Sequence, residues 1–443
     1  MKNQTKSVVL LAVCTLLLLA TLSLVPNRVW DALHVRPINI FSDLLNREPK
    51  EDAEETMPAL RPKSSQTKAG IESIFDYEEQ SGRGMDLFYE ALRSKENVRV
   101  AVFGDSFIEG DILIGRLREL LQHQYGGSGV GFVKIQSVAD KFRPTIKQNT
   151  AGFADYCVMK GKYDNEKAWL SGYYFVPTSG ASVELKGTDF HASLDTTEVF
   201  SIYLQTPLGL RLEAAVDDMQ PETFQLQGKA GLQHISIERK GSCGKWKVPV
   251  ANQSDVFYGV ALDGKKGISV DNFSLRGSSG FHLHKCDSLI ASDFAKARPY
   301  DLIILQYGMN FCQPRSTDYS GFVRVFKQSV EAIKKLYPNA AVLLVSMGDR
   351  GVKDRDGVTK TMPGVKAMVE AQHKLAQDEH IAFWNLYSAM GGENSMVKMV
   401  RTTPSLANKD YLHINFRGGD MLAKRLFDAL QYGKEQYDER IEK

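Results

Sequence analysis

A single serine lies where a buried strand is predicted to turn into a helix. The sequence GDS at 104–106 follows the apolar run 98–103 and precedes a stretch with leucines at helical spacing. At a helix N-terminus, the helix dipole and the free N–H groups favour a developing negative charge. Serine is also a good helix N-cap. From these residues alone, Ser106 is either a nucleophile or a cap.

Three later stretches provide the partners that a serine nucleophile needs. Gly277 and Gly280 allow close backbone approach in one loop, although such a loop can also be a simple turn. Asn310 follows another predicted strand, where its side-chain N–H can stabilise an oxyanion or form an Asx turn. Asp410 and His413 fit on one short turn, with the carboxylate on Nδ1–H and with Nε2 free. A base, an acid that orients it and oxyanion donors are therefore all available.

The elements around these residues alternate between strand and helix. Such alternation predicts a parallel sheet with helices on both faces, and sheets of this kind bind ligands at the carboxyl ends of their strands. Short apolar runs indicate buried strands, and apolar residues at helical spacing indicate helices. The predicted strands cover 98–103, 301–305, 340–345 and 381–386, and the predicted helices cover 85–93, 113–125, 322–336, 365–377 and 418–430.

The region after the first strand and helix has a different pattern. Segments such as 181–185 and 200–204 alternate apolar and polar residues, and clusters of Gly, Asp and Ser separate them. This pattern is typical of an all-β sandwich. The sequence therefore predicts an α/β domain that is split into 76–130 and 271–443 by a β-sandwich module at 131–270.

The N-terminal segment predicts export from the cytoplasm. Lys2 and Lys6 precede an uncharged apolar run at 8–25, which is just long enough to cross a bilayer. Residues 1–30 are therefore predicted to be a membrane anchor or a signal peptide, and an anchor is favoured because no clear cleavage site follows the run. Residues 31–75 are predicted to be a linker between this segment and the folded body.

Composition and spacing weigh against several other functions. The chain of 443 residues has a formal net charge of +2 and no block rich in Lys or Arg, so no nucleic-acid partner is expected. Trp169, Tyr173 and Tyr174 are expected in the core rather than on a sugar-stacking platform, and 282–286 is expected to pack beside the active loop rather than to bind metal. The charged loop at 348–357 is a candidate for substrate contact. Four cysteines lack C-x-x-C spacing, and their disulfide pairing stays open: Cys157, Cys243, Cys286 and Cys312.

Taken in sequence order, the four stretches resemble the blocks of the SGNH, or GDSL-type, hydrolases. GDSFIEGDILIGRLRELL followed by GGSGVGFV, and KDYLHINFRGGDMLAKRL near the end, are similar to the branch that contains bacterial peptidoglycan O-acetylesterases. The resemblance covers about 95–135 and 258–435. Two residues depart from the family pattern, because Phe107 replaces a leucine and Phe311 stands where many members carry an acid.

The resemblance implies a site and a fold. Ser106 would be the nucleophile, His413 the general base and Asp410 the residue that orients the imidazole. The oxyanion donors would be the N–H groups of Ser106 and Gly280 and the side chain of Asn310, with no metal or cofactor. Gly277 is the alternative to Gly280 in the second block. The implied fold is a flavodoxin-like, three-layer α/β domain with a parallel sheet.

The implied activity is removal of O-acetyl groups from an extracytoplasmic glycan, above all peptidoglycan, by an acyl-enzyme route. The expected location is the periplasm or the surface of a bacterium, with residues 8–25 as a tether to the inner membrane if they are uncleaved. Two alternatives remain open on the sequence. One is an O-acetyltransferase that uses the same residues, and the other is a non-catalytic module that binds the cell wall.

Overall fold

The computed structural model describes residues 68–442 apart from 79, 81 and 140. The predicted membrane segment and most of the predicted linker lie outside the described residues. Among the helices of the described residues, none is both long enough and apolar enough to cross a membrane.

The α/β part is built on a six-stranded sheet. Its five parallel strands follow the flavodoxin-like order, in which the first parallel strand along the chain lies between the second and the third. A short antiparallel strand completes one edge. In spatial order, the strands are β1 (Phe75–Asp76), β17 (Ala382–Trp384), β14 (Ala341–Val345), β13 (Leu302–Gln306), β2 (Asn97–Gly104) and β12 (Gly267–Asn272).

Both faces of this sheet are covered. Successive side chains of a strand point to opposite faces, and every residue of β13 and β14 is buried. The predicted helices are present within a few residues of their expected bounds, except that the last one extends well past 430. The helices are α1 (Met85–Ser94), α2 (Ile114–Tyr125), α3 (Ser288–Ala297), α4 (Ser320–Leu336), α5 (Gly364–Asp378), α6 (Leu386–Met390), α7 (Ser395–Arg401) and α8 (Phe416–Ile441).

The intervening region forms one nine-stranded antiparallel sheet, which curls around its own apolar core. The sequence predicted a sandwich that ends at 270, whereas this sheet ends at Asp263 and β12 belongs to the parallel sheet. Its strands are β3 (Gly131–Val133), β4 (Ile146–Cys157), β5 (Tyr173–Gly187), β6 (Thr197–Thr206), β7 (Leu210–Val216), β8 (Glu222–Leu226), β9 (Lys229–Gly241), β10 (Cys243–Val248) and β11 (Val256–Asp263).

The antiparallel region packs directly against the α/β part. Trp169 is 1% exposed, and its ring stacks on Phe294 of α3 with the centroids 3.6 Å apart. Arg298 is buried between the two sheets, where its guanidinium donates to Asp263 of β11 at 2.7 Å and to Asp271 of β12 at 2.8 Å. The two sheets therefore share both an apolar contact and a buried ion-pair network.

Candidate active site

The switch point of the parallel sheet lies between β2 and β13, where the strand order reverses. These strands pair in parallel, and Gly104 at the end of β2 lies opposite Gln306 at the end of β13. Ligands of doubly wound sheets bind in the crevice outside such strand ends. Ser106 and Asn310 follow directly from these two ends, so the fold brings their backbones to the same edge of the sheet.

Ser106, His413 and Asp410 form a continuous hydrogen-bonded relay at this edge. Ser106 Oγ is 2.9 Å from His413 Nε2, and His413 Nδ1 is 2.8 Å from Asp410 Oδ2. The Asp410 carboxylate also accepts the backbone N–H groups of Leu412 and His413, each at 3.0 Å. An ionised carboxylate only accepts, so Nδ1 carries the proton and the Nε2 lone pair faces the serine. This is the arrangement in which an imidazole can act as a general base.

The hydrogen bonds around Asp410 keep it ionised. Burial alone would raise the pKa of this carboxyl, but the hydrogen bonds from the His413 side chain and from the two backbone N–H groups lower it below its usual range. A short hairpin of β15 (Gly351–Lys353) and β16 (Thr359–Thr361) supports the loop that carries Asp410 and His413. The Gly351 N–H in this hairpin donates to the Tyr411 carbonyl at 2.8 Å. The charged loop predicted at 348–357 therefore supports the loop that carries His413.

The two glycines of the second block have different surroundings. Gly280 is buried, and its N–H donates to Ser278 Oγ at 3.0 Å. Gly277 is exposed, has a φ of +78°, and its N–H has no hydrogen-bond acceptor among the described residues. The Gly280 N–H is thus occupied and the Gly277 N–H is not, so we take Gly277, the alternative glycine, as the candidate oxyanion donor. Asn310 is exposed, and its Nδ2 donates to the Ser278 carbonyl at 2.9 Å, which leaves the second N–H of the amide available.

Asp105, which precedes the serine, is a buried carboxyl to which the sequence assigned no role. It is 0% exposed, and its Oδ1 accepts the Phe107 N–H at 2.9 Å, which fixes the turn that presents Ser106. Burial raises its pKa to about 7.

Behind the turn, buried Asp111 accepts hydrogen bonds from Arg118 at 3.1 Å and from the Asn272 side chain at 2.8 Å. These contacts tie the loop after β2 to the end of β12.

The other candidates from the sequence do not converge on a second site. Tyr173 and Tyr174 are buried like Trp169, at 4%, 2% and 1% exposed, so none of these rings offers a platform to a sugar. His282 and His284 hydrogen-bond to different partners, Leu170 and Ser329. Within the described residues, no group of three metal-ligating side chains is present. The four cysteines after the apolar run are free thiols.

Comparison with known proteins adds a fold class to this geometry. No protein-family model matches the chain, and no curated protein matches it. A solved structure of a peptidoglycan O-acetylesterase aligns with a TM-score of 0.67 at 21% identity, over 82% of this chain and 99% of that one. A family two carbohydrate esterase from Cellvibrio japonicus aligns over 66% of this chain and 99% of its own, at 10% identity and a TM-score of 0.28, which is too low to support an argument. The chain therefore shares the fold of the first of these structures.

Proposed function

We propose that this protein is a serine esterase that removes O-acetyl groups from an extracytoplasmic glycan, with peptidoglycan as the substrate. The observation that carries the proposal is the relay from Asp410 through His413 to Ser106 at the switch point of the sheet. The resemblance of the sequence blocks and the likeness to a peptidoglycan O-acetylesterase structure support the choice of substrate. The apolar run at 8–25 supports a location outside the cytoplasm, tethered to the inner membrane.

In the acylation step, His413 Nε2 takes the proton of Ser106 as Oγ attacks the acetyl carbonyl. The carbonyl oxygen becomes an oxyanion, which accepts the N–H of Ser106, the N–H of Gly277 and the free N–H of the Asn310 amide. The tetrahedral intermediate collapses when the C–O bond to the sugar breaks. His413 gives its proton to the departing sugar oxygen, and the acetyl group remains on Ser106.

Deacylation repeats these steps with water as the nucleophile. His413 removes a proton from the water, the hydroxide adds to the acetyl carbon, and the same donors hold the oxyanion. The bond to Ser106 Oγ then breaks, His413 returns the proton to the serine, and acetate leaves. Asp410 keeps its charge throughout and stabilises the imidazolium that forms in each half-reaction.

Acetate release from three substrates tests the proposal. The full chain is incubated with O-acetylated peptidoglycan, with O-acetylated xylan and with an aryl acetate, and Ser106→Ala is the matched control. We expect release from peptidoglycan and from the aryl ester that the control lacks. Release from the aryl ester and xylan but not from peptidoglycan would remove the proposed substrate. Acetate that appears on an added glycan acceptor, with none in solution, would instead assign the O-acetyltransferase activity.

A further inference from the structure

A chain of hydrogen bonds lies behind the loop 277–280, which we call the oxyanion loop, and the relay does not use it. The His282 ring is 8% exposed, with Nε2 3.2 Å from the Leu170 carbonyl and Nδ1 3.1 Å from Ser278 Oγ. Ser278 is 1% exposed, and its Oγ accepts the Gly280 N–H at 3.0 Å. Four polar groups are thus linked in one line from the antiparallel region to the oxyanion loop: the Leu170 carbonyl, the His282 ring, the Ser278 hydroxyl and the Gly280 N–H.

The direction of every bond in this chain follows from its ends. A backbone carbonyl only accepts, so His282 Nε2 must carry a proton and donate it to Leu170. Burial lowers the pKa of His282 to about 4, so the ring is neutral at ordinary pH and its Nδ1 has a lone pair. The Ser278 hydroxyl therefore donates to Nδ1, and a lone pair of its oxygen receives the Gly280 N–H. Each donor has one acceptor, so the chain has a single arrangement.

Further hydrogen bonds hold the oxyanion loop at two of its carbonyls. The Ser278 carbonyl accepts the Asn310 amide at 2.9 Å. The Gly280 carbonyl accepts the hydroxyl of Ser329, a fully buried residue of α4, at 2.9 Å. Because the Ser329 proton is used in this bond, His284 Nδ1, 3.1 Å away, is the donor to Ser329 Oγ. Hydrogen bonds therefore fix the loop around Ser278 and Gly280, whereas Gly277 is exposed.

We propose that Ser278 and His282 are positioning residues, which hold Gly277 and Asn310 where both can donate to the oxyanion. The inference rests on the proposed esterase function and concerns residues that touch neither substrate nor the reacting atoms. Oxyanion donors stabilise a transition state because they are already oriented when charge develops. The last acceptor in this series of hydrogen bonds is the Leu170 carbonyl, next in sequence to the buried Trp169. The antiparallel region thus contributes to the geometry of the catalytic edge.

The test separates positioning from stability by measuring kcat, KM and the unfolding midpoint together, with an aryl acetate as the probe. For Ser278→Ala we expect kcat to fall about 10-fold or more, with KM within about twofold, because a misplaced donor loses part of the about 10²–10³ in kcat that one oxyanion donor contributes. Ser278→Thr keeps the hydroxyl, and we expect it to restore most of kcat. The matched control is Ser201→Ala in β6, which removes a buried hydroxyl bonded to Ser236 at 2.7 Å, away from the oxyanion loop.

If Ser278→Ala does not fold, the same measurement is made on His282→Gln. This variant keeps a donor for Leu170 and removes the acceptor of the Ser278 hydroxyl, so kcat is again expected to fall while KM holds. Wild-type kcat in the Ser278 or His282 variant, or an equal loss in Ser201→Ala, would overturn the inference. With Ser106→Ala inactive, such a result would leave the proposed function intact. Activity in Ser106→Ala would instead overturn the proposed function itself.

Discussion

Removal of the Asn310 side chain tests the oxyanion donors directly. The residue is exposed, and its amide donates one bond of 2.9 Å to the Ser278 carbonyl. Losing an intramolecular hydrogen bond of this kind costs about 0.5–1.5 kcal/mol of stability, which a folded domain of this size tolerates. Losing an oxyanion donor costs about 10²–10³ in kcat, or about 2.7–4 kcal/mol of transition-state stabilisation. Asn310→Ala should therefore stay folded and lose far more activity than stability.

The assay is the initial rate of aryl acetate hydrolysis at saturating substrate, read beside the thermal unfolding midpoint. Asn310→Asp is expected to be slower still than Asn310→Ala, because a carboxylate places negative charge next to the developing oxyanion. Asn252→Ala is the matched control, since the Asn252 amide also donates to a backbone carbonyl, that of Gly209 at 3.3 Å, away from the site. A kcat for Asn310→Ala within about threefold of the wild-type value would refute the role of this amide.

Three further substitutions have expected outcomes. In Asp410→Asn, the two backbone N–H groups continue to donate to the side-chain oxygen, so the amide NH₂ faces His413 Nδ1. This forces the imidazole proton onto Nε2, where it blocks general-base catalysis. We expect kcat for an aryl acetate to fall by up to about 10⁴. Burial raises the pKa of Asp105 to about 7, so the folded protein disfavours the charged form of this residue. The free energy of unfolding should therefore fall as pH rises from about 4 to about 7, by about 1.4 kcal/mol for each unit by which the pKa is raised. Denaturant unfolding should show this loss in the wild type and not in Asp105→Asn, and equal slopes with pH would contradict it. In Arg298→Met, two buried carboxylates lose their counter-charge, so urea unfolding should show a loss of about 3–5 kcal/mol, and a loss below 1 kcal/mol would contradict this account.

The relay was expected from the resemblance of the sequence blocks, taken in order, and from neither end of the chain alone. Ser106 and His413 are 307 residues apart, and the structure places Ser106 Oγ 2.9 Å from His413 Nε2. The choice between the two glycines of the second block could not be made in this way. The direction of the Gly280 N–H depends on the Ser278 hydroxyl, and that hydroxyl depends on His282, whose other nitrogen meets a carbonyl 112 residues away. Spacing within the block contains no information on these contacts.

The boundary of the antiparallel region was misplaced for a physical reason. The stretch 267–272 alternates apolar Ile268 and Val270 with polar residues, as a half-exposed antiparallel strand does. In the structure its polar face is buried as well, because Asp271 is paired with Arg298 in the core. An alternation of apolar and polar residues shows which side chains are polar. It predicts which of them are exposed only where the fold provides no buried partner for the polar side chains.

The most direct test of the account is acetyl transfer to one serine. The enzyme is mixed with an aryl acetate, quenched in acid during turnover and digested, and the acetylated peptide is identified by mass spectrometry. We expect the acetyl group on Ser106 in the wild type, and neither this adduct nor acetate release above background in Ser106→Ala. Turnover by folded Ser106→Ala at the wild-type rate, or an acetyl group that forms and decays at catalytic rates on another residue, would contradict the central claim.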